Sequence, residues 1–408
     1  MKRRDFLKIV AISTIIAGVG AVALLLLRRE FIAINYNFVM HIPENRSYKD
    51  AAEIIASLNP NLIIRCWNDR NGYIPKSRRT AYREFRKCYP DSVAKRLADL
   101  HIKYNWTLED LQHIIDAVKS RVDVELSVTL HPQYIPKTVM DVNCEVCINT
   151  SKWALDFSKW GLDLDLKESQ MFMNRITKGV PEELQNMYYP DITNEEYKMY
   201  LMEKIRMYSD MGVDVIDFDL LFTQAYAAEL LVKRLGEDPY NHPAVVQSYK
   251  SALEILNYAK RFAKVSTWAS ALRYSAELDY VYTSPSVDEI LGSFKDEKWI
   301  IFKHMAKNAV PLSMLDNGGL DTYPMSVFSQ RLSPKEQSEF LIRWDEYMRK
   351  IGIVPVYPVQ DGLMGKNPKI LSYGKYNKYD ALAPEFRTFD TIQKLALKHT
   401  NPLYNYMC

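Results

Sequence analysis

Short apolar segments alternate with longer amphipathic segments along the chain from residue 31 onward. Each short segment has the length of a buried strand, and several alternate apolar and polar residues with a period of two. The segments between them repeat apolar residues every three or four positions, which predicts helices. We therefore predict eight strand–helix repeats, with strands at 31–38, 61–67, 122–130, 213–219, 263–269, 279–283, 310–315 and 351–357.

Several predicted helices begin with a capping-box spacing, in which a Ser or Thr stands three positions before an acidic residue. These starts are at Ser47, Thr107 and Ser333, and Pro334 takes the first helical position of the third. Eight repeats in about 370 residues predict an α/β fold, a single (β/α)8 TIM barrel preceded by an N-terminal transmembrane or signal helix. An open doubly wound sheet is the main alternative, but no glycine-rich phosphate turn follows the first strand.

No stretch rich in Pro, Gly or Ser divides the chain, so we predict one barrel domain over residues 31–408. Two long insertions, at about 70–103 and 131–190, follow the second and third predicted strands. Loops after barrel strands build the active face of such a fold. The insertions therefore predict an elaborated substrate cleft.

Residues 1–30 have the pattern of an export signal or a membrane anchor. Lys2, Arg3 and Arg4 precede an apolar run over residues 9–27, which is 19 residues long and just able to span a bilayer. The start of the chain resembles a twin-arginine export signal. We expect an uncleaved anchor that holds the barrel on the extracytoplasmic side of the cell membrane. The alternatives are an anchor inserted by the general secretory route and a secreted protein cleaved near Ala21-Val22-Ala23.

The composition argues against several classes of function. The net charge is only +3, so we expect no nucleic-acid partner. The seven histidines have no HxH or HExxH spacing and no G-x-S-x-G elbow is present, so we expect neither a metal nor a cofactor. In an oxidising compartment the cysteines could pair as Cys66–Cys88 or as Cys144–Cys147. The lone CxxC spacing does not predict a zinc site.

The strand predicted at 213–219 carries acidic residues on one face. Ile216 and Phe218 fall in one phase of the two-residue period, whereas Asp217 and Asp219 fall in the other. An unpaired charge in a core costs several kcal/mol. These carboxylates are therefore either paired or line a cavity, and the cavity interpretation indicates an enzyme.

The same alternation in the other strands predicts a polar and aromatic lining at one end of the barrel. Carboxylates, amides and Arg supply directional hydrogen bonds, and Trp and Tyr supply apolar ring faces, as a polyhydroxylated ligand requires. For Arg65, Glu125 and Asp217 the alternative is an internal polar network. The predicted ligand-binding residues are Asn35, Asn37, Arg65, Trp67, Asp69, Glu125, His131, Asp217, Trp268, Tyr282 and Tyr357.

The segment Tyr189-Pro190-Asp191-Ile192-Thr193-Asn194, a helix, and the strand that ends in Asp219 resemble part of the glycoside hydrolase barrels, closest to the α-glucosidase and α-galactosidase superfamily. This resemblance implies that Asp219 is the nucleophile and nominates Asp288 as the acid, with Asp316 and Asp361 as alternatives. The strand also resembles the chitinase pattern, but Leu221 stands where that pattern has its acid.

We therefore expect an extracytoplasmic glycoside hydrolase that acts on a polysaccharide or other glycan and is bound to the membrane through its N-terminal helix. One alternative is a catalytically silent barrel that binds surface glycan or supports a cell-envelope assembly. Another is a metal-dependent hydrolase, which would need His131 beside Asp219 and a further ligand.

Overall fold

The computed structural model describes residues 30–39, 46–69, 74–177, 186–274, 276–317 and 320–400. Within these ranges, eight parallel strands pair in chain order and the last pairs with the first, so the sheet closes. The predicted (β/α)8 barrel is thereby confirmed. Its strands, numbered in chain order, are β1 Ala33–Tyr36, β2 Leu62–Asp69, β3 Glu125–Leu130, β4 Val215–Phe218, β5 Lys264–Trp268, β6 Tyr280–Thr283, β7 Val310–Ser313 and β8 Val354–Leu363.

Helices surround the barrel and fill the excursions between its strands. The capping boxes predicted at Ser47, Thr107 and Ser333 are all present. A short strand, Lys378–Asp380, pairs antiparallel with the end of β8. The described α-helices are Tyr48–Leu58, Ala81–Phe85, Asp91–Lys103, Leu108–Lys119, Leu166–Ile176, Glu195–Asp210, Thr223–Arg234, Pro243–Ala259, Val287–Leu291, Asp296–Met305, Pro324–Arg331, Pro334–Lys350 and Phe389–Thr400.

Two apolar layers lie on opposite faces of the closed sheet. The larger layer fills the space between the strands and the helices and includes Ile63, Leu126, Ile216 and Phe218. The smaller layer fills the barrel itself, so the barrel is a packed core and not a pore. Its buried members are Ala33, Leu62, Ile64, Val215, Tyr280, Tyr282, Leu312, Met314 and Val356.

The excursions that follow β2 and β3 are joined by a disulfide between Cys88 and Cys147, whose Cα atoms are 5.5 Å apart. Both predicted pairings are therefore wrong. Cys66 lies in β2 on the helix side, where its thiol donates to a backbone carbonyl of β3. Cys144 precedes the short strand Cys147–Asn149, which pairs with Thr138–Met140, and it is buried outside the disulfide.

β2 contains an irregularity at Arg65 that interrupts the regular alternation of its side chains between the two faces of the sheet. The pairing with β3 jumps between Ile63 and Trp67, so three residues of β2 lie opposite Ser127 alone. Arg65 has the left-handed φ of 56°, and its backbone N–H donates to the Ser127 hydroxyl at 2.6 Å. A bulge of this kind redirects a side chain. It turns Arg65 into the barrel, although the regular phase of this strand would have pointed it at the helices.

No helix within the described ranges is long and apolar enough to cross a bilayer. The anchor or signal helix predicted for residues 1–30 lies outside those ranges except for Glu30.

Candidate active site

Asp219 lies immediately after β4, at the carboxyl end of the barrel, and its backbone N–H donates to the carbonyl oxygen of Leu130 at 2.8 Å. Its side chain is 16% exposed, so a ligand can reach it. Two donors face each carboxylate oxygen. The Oδ1 atom has Trp268 Nε1 at 2.8 Å and Arg65 Nη2 at 3.5 Å, and the Oδ2 atom has His131 Nδ1 at 3.0 Å and Gln133 Nε2 at 3.2 Å.

These donors keep Asp219 ionised. Burial alone would raise the pKa of its carboxyl, but the hydrogen bond and charge of His131, the charge of Arg65 and the Trp268 hydrogen bond hold that pKa well below its usual range. Donors to a charged carboxylate favour the charged form. The mouth of the barrel therefore presents a fixed negative charge.

Arg65 connects the mouth to the deeper part of the barrel. Its guanidinium donates to Asn317 Oδ1 at 3.2 Å and to the Tyr282 hydroxyl at 3.4 Å. It also lies over the rings of Trp268 and Tyr282, with its central carbon 5.4 and 5.5 Å from the ring centres. The bulge in β2 thus places one buried cation among groups from four strands or their loops.

Asp217 lies one layer below Asp219 and is fully buried. Its carboxylate accepts hydrogen bonds from Thr129, Ser266 and Tyr282 at 2.7 to 2.9 Å, and Arg65 Nε lies 3.7 Å away. Burial raises the pKa of Asp217, and the neighbouring Arg65 charge and hydroxyl donors act in the opposite direction. These bonds join Asp217 to protein groups inside the barrel, and its contact with a ligand stays a prediction.

His131 links Asp219 to groups that the sequence did not reveal. Its Nε2 atom is hydrogen-bonded to Asn68 Oδ1, and the Tyr134 hydroxyl lies 3.1 Å from Nδ1. The Tyr134 ring stacks on the imidazole at 5.4 Å. These contacts fix the orientation of the imidazole that faces Asp219, so His131 is held in place from three sides.

The structure moves two predicted ligand-binding residues of β2 away from the mouth. Asp69 is fully buried and accepts from Lys204 Nζ at 2.8 Å and from the Tyr208 hydroxyl at 2.7 Å, both on a barrel helix. Trp67 packs in the same outer layer. The prediction that Trp67 and Asp69 face the cleft is wrong because they alternate with Asn68, which faces inward.

Glu125 and Tyr357 are also misplaced by the sequence prediction. Glu125 begins β3, at the end of the barrel opposite Asp219, where it is paired with Lys264 and accepts from the Tyr280 hydroxyl. The Tyr357 hydroxyl donates to Asp345 at 2.7 Å in the helix layer. Neither side chain lies beside Asp219.

The two asparagines predicted from β1 are buried. Asn35 lies on the inner face, with its Nδ2 atom 4.0 Å from the sulfur of Met314 in the barrel interior. Asn37 accepts the backbone N–H of Val39 at 3.0 Å. Their contact with a ligand stays a prediction.

The three candidate acids have different surroundings. Asp288 lies in the first turn of Val287–Leu291 with its side chain 81% exposed, and the contacts of the described residues do not connect it to Asp219. Asp316 follows β7 at the same end of the barrel as Asp219 and is half-buried. Asp361 belongs to β8, but its side chain lies outside the described part of the chain.

Tyr323 identifies Asp316 as the candidate acid with a described link to Asp219. Burial, followed by the negative charges of Asp316 and Asp219, raises the pKa of the half-buried Tyr323 phenol. Both carboxylates therefore act on one hydroxyl. The role of Asp316 as acid remains a prediction.

The sequence prediction does not include four polar residues of the site, which are Asn68, Gln133, Tyr134 and Asn317. Only the position of Gln133 could have been read from the sequence. It lies two positions after His131, in the same phase of the chain. Asn68 was hidden by the bulge in β2, and Tyr134 and Asn317 lie in loops without periodicity. Within the described residues, no group of three or more His, Cys, Asp and Glu side chains could hold a metal ion.

No protein-family model matches the chain, and no curated protein matches its sequence. Among solved structures it is similar to a noncanonic maltogenic α-amylase from Thermotoga neapolitana, with 14% identity, a TM-score of 0.49, and coverage of 91% of this chain and 76% of that one. It is also similar to a Gamma-CGTase from alkalophilic Bacillus clarkii, with 10% identity, a TM-score of 0.47, and coverage of 93% and 57%.

A third similar structure is an α-galactosidase from Thermus thermophilus, with 11% identity, a TM-score of 0.44, and coverage of 80% of this chain and 59% of that one. The chain thus spans less than two thirds of the second and third structures. With TM-scores below 0.5, these similarities define no family or activity for the chain. The closed eight-stranded sheet is what establishes its (β/α)8 fold.

Proposed function

We propose that this protein is a glycoside hydrolase whose chemistry takes place at Asp219. The observation that carries the proposal is an ionised carboxylate held at the carboxyl end of a (β/α)8 barrel, where enzymes of this fold have their active sites. A glycosidase needs such a carboxylate close to the anomeric carbon, where positive charge develops in the transition state.

Two mechanisms are open to Asp219. As a nucleophile, an Asp219 oxygen would bond to the anomeric carbon as the glycosidic bond breaks, and water would then release the sugar. As a base, it would remove a proton from the water that attacks that carbon. In both mechanisms a second carboxyl must protonate the leaving oxygen. We propose Asp316 for this role because it is half-buried and follows β7 at the same end of the barrel as Asp219.

Half-buried aromatic rings near Asp219 support a sugar as the ligand. Trp268, Tyr134 and Tyr323 each keep part of their ring exposed, and such rings pack against the apolar faces of sugars while their polar atoms hydrogen-bond. Gln133 adds an amide beside the carboxylate. The combination suits a polyhydroxylated ligand.

A second candidate function is glycan binding without hydrolysis. The observation that favours glycan binding alone is that two protein donors already face each carboxylate oxygen of Asp219. A carboxylate that is so fully hydrogen-bonded is a weaker nucleophile. In this case the barrel would bind a glycan and leave its bonds intact.

The experiment that tests the proposal is a screen of the purified protein against oligosaccharides and polysaccharides, with release of reducing ends as the readout. Asp219→Asn is the test variant, and Asp210→Asn is the matched control because Asp210 is exposed on a barrel helix. Hydrolysis by the wild type and the control, but not by Asp219→Asn, is expected. Glycan binding by calorimetry without any hydrolysis would favour the second candidate.

We also propose that the barrel acts outside the cytoplasm. The support is the Cys88–Cys147 disulfide, a bond that persists in oxidising compartments, together with the signal-like sequence of residues 1–30. Cell fractionation and alkylation of free thiols test this. Recovery in the cytoplasm with all cysteines reduced would contradict it.

A further inference from the structure

The excursion after β2, residues 74–103, is much more basic than the chain as a whole. It contains nine Lys or Arg residues and three Asp or Glu residues, a net charge of +6, whereas the whole chain has a net charge of +3. The rest of the chain is therefore slightly acidic. A single excursion of 30 residues thus has a net charge twice that of the whole chain.

Most of these cations are exposed and have no carboxylate partner. Arg78 is paired with Asp110 at 2.8 Å and Arg86 with Asp91 at 3.2 Å. Among the described residues, the seven other cations of the excursion are exposed and form no ion pair with a carboxylate, although Lys87 donates to the Cys144 carbonyl at 2.7 Å. They are Lys76, Arg79, Arg83, Lys87, Lys95, Arg96 and Lys103. Charges that are neither paired internally nor buried are available to an external anion.

The helix Asp91–Lys103 presents three of these cations, Lys95, Arg96 and Lys103, on its outward face, where Asp99 is the single acidic residue among them. It buries Ala94, Ala98 and His101 against the excursion. An open depression follows the opposite face of the helix, and its lining is Ser92, Lys95, Arg96, Asp99, Leu100 and Lys103. At 1.5 Å per residue, Lys95 and Lys103 are about 12 Å apart along the axis, a span that suits an extended chain better than one small ion.

The basic surface is fixed to the same end of the barrel as Asp219. The excursion leaves the carboxyl end of β2, and the Cys88–Cys147 disulfide joins it to the excursion that carries Gln133 and Tyr134. The Tyr89 hydroxyl donates to the Thr138 carbonyl at 2.9 Å across the same junction. These two bonds tie the basic excursion to the excursion that contributes Gln133 and Tyr134 to the site.

We propose that residues 74–103 bind an acidic polysaccharide, one that carries carboxylate or sulfate groups, and hold it beside the mouth of the barrel. The proposal rests on the proposed function for what happens at Asp219 and adds the class of glycan. Charge complementarity argues for an anion. The long outward face argues for a polymer.

Two other anionic partners, a membrane surface and a nucleic acid, suit the basic surface less well. A bilayer surface would require a continuous exposed apolar face, but the apolar face of Asp91–Lys103 is buried and only Leu100 is exposed on its outer side. A nucleic acid is disfavoured by the disulfide beside the surface, which is typical of oxidising compartments. The test below includes both of them as competing ligands.

The test measures binding of the full-length protein to polygalacturonate in 50 mM and 300 mM NaCl. The triple variant Lys95→Glu/Arg96→Glu/Lys103→Glu removes the three cations of the outward face. Lys335→Glu/Lys350→Glu/Lys394→Glu is the matched control, because it makes the same change in net charge at exposed lysines on two barrel helices. Circular dichroism and the Tm verify that both variants are folded.

We expect the wild type to bind polygalacturonate, to lose affinity in the higher salt, and to ignore neutral dextran. The patch variant should lose on the order of tenfold or more in affinity, and the control variant less than half as much on a logarithmic scale. Equal affinity of patch and control variants would overturn the proposal. Tighter binding to DNA, or to vesicles containing phosphatidylglycerol, than to polygalacturonate would also overturn it.

The same experiment separates this proposal from the proposed function. Asp210→Asn should bind polygalacturonate as tightly as the wild type, because Asp210 is exposed on a barrel helix and belongs to neither the site nor the basic surface. Hydrolysis of a neutral glycan without polygalacturonate binding would leave the glycosidase in place and remove the acidic substrate class. Binding of polygalacturonate without hydrolysis of any glycan would support the acidic ligand class and contradict the glycosidase.

Discussion

Arg65 Nη2 lies 3.5 Å from Asp219 Oδ1, although a regular β2 would have pointed Arg65 at the helices. The contact exists because the backbone of Arg65 is left-handed and its N–H binds Ser127. One local irregularity thus supplies the cation that helps to keep Asp219 ionised. It also joins Asp219 to the deeper Asp217 in a single charged network.

The first prediction concerns this network. Arg65→Met should lower the free energy of unfolding by about 3–5 kcal/mol, because it leaves two carboxylates without their buried cation. In an Asp217→Asn background the same substitution should cost at least about 1 kcal/mol less, since one of those carboxylates is already gone. Urea unfolding of the four proteins measures the coupling. Equal costs in both backgrounds would show that Arg65 and Asp217 act independently.

The second prediction concerns Trp268. Trp268→Phe keeps an aromatic ring in the mouth but removes the N–H that donates to Asp219 at 2.8 Å. A hydrogen bond to a charged group contributes about 1.5–3 kcal/mol, so we expect kcat/KM to fall roughly tenfold to a hundredfold. Trp160→Phe is the control, because its indole binds Gln247 outside the site. Equal activity of the two variants would remove Trp268 from the site.

The third prediction concerns the disulfide. Replacing both Cys88 and Cys147 by Ser should lower the free energy of unfolding by about 2–4 kcal/mol, because the bond closes a loop with a sequence separation of 59 residues. Cys66→Ser is not a suitable control because the Cys66 thiol is buried. The control is the wild-type protein, whose free energy of unfolding is compared before and after mild reduction of the disulfide. An unchanged midpoint of unfolding would show that the junction of the two excursions is held by packing alone.

The fourth prediction concerns acid stability. Asp345 is fully buried and binds His399 Nε2 at 2.9 Å and Arg349 Nε at 2.8 Å. Burial would raise the pKa of Asp345, but His399 and Arg349 together bring it below its usual value. A carboxyl with a lowered pKa adds stability above its unfolded pKa of about 3.9, and this stability is lost as the pH falls.

Asp345→Asn should therefore lower the Tm most at pH 6, and the deficit should shrink as the pH falls toward 3. Thermal unfolding at several pH values measures it, with the exposed Asp210→Asn as control. A deficit that is constant or that grows in acid would contradict the assigned charge of Asp345.

Sequence reasoning succeeded where strand alternation is regular. β4 separates Ile216 and Phe218 from Asp217 and Asp219, so the two-residue period predicts that both carboxylates are on the inner face, where the structure has them. The eight strand–helix repeats and the three capping boxes are also predicted correctly. They predicted the barrel because each depends on local periodicity and local hydrogen bonds.

The failures have two physical causes. The sequence prediction continues the alternation of β2 from the inward-facing Arg65, but the bulge at Arg65 interrupts that alternation, so it places Trp67 and Asp69 on the wrong face. β8 is buried on both faces, as parallel strands are, and gives no alternation from which the direction of Tyr357 could be read.

Other errors concern long-range partners. Glu125 begins its strand and therefore lies at the end of the barrel opposite the mouth, which follows from the direction of the strand but not from the two-residue period. The Cys88–Cys147 bond joins two excursions whose contact depends on the whole fold, and cysteine connectivity does not follow from sequence.

The most direct test of the central claim is the rate of glycosidic bond hydrolysis by Asp219→Asn, measured beside Asp288→Asn and Asp210→Asn on the best substrate from the screen. The account predicts a loss on the order of 10³-fold or more for Asp219→Asn with an unchanged fold, and near wild-type rates for the two exposed positions. Full activity of Asp219→Asn would contradict the account.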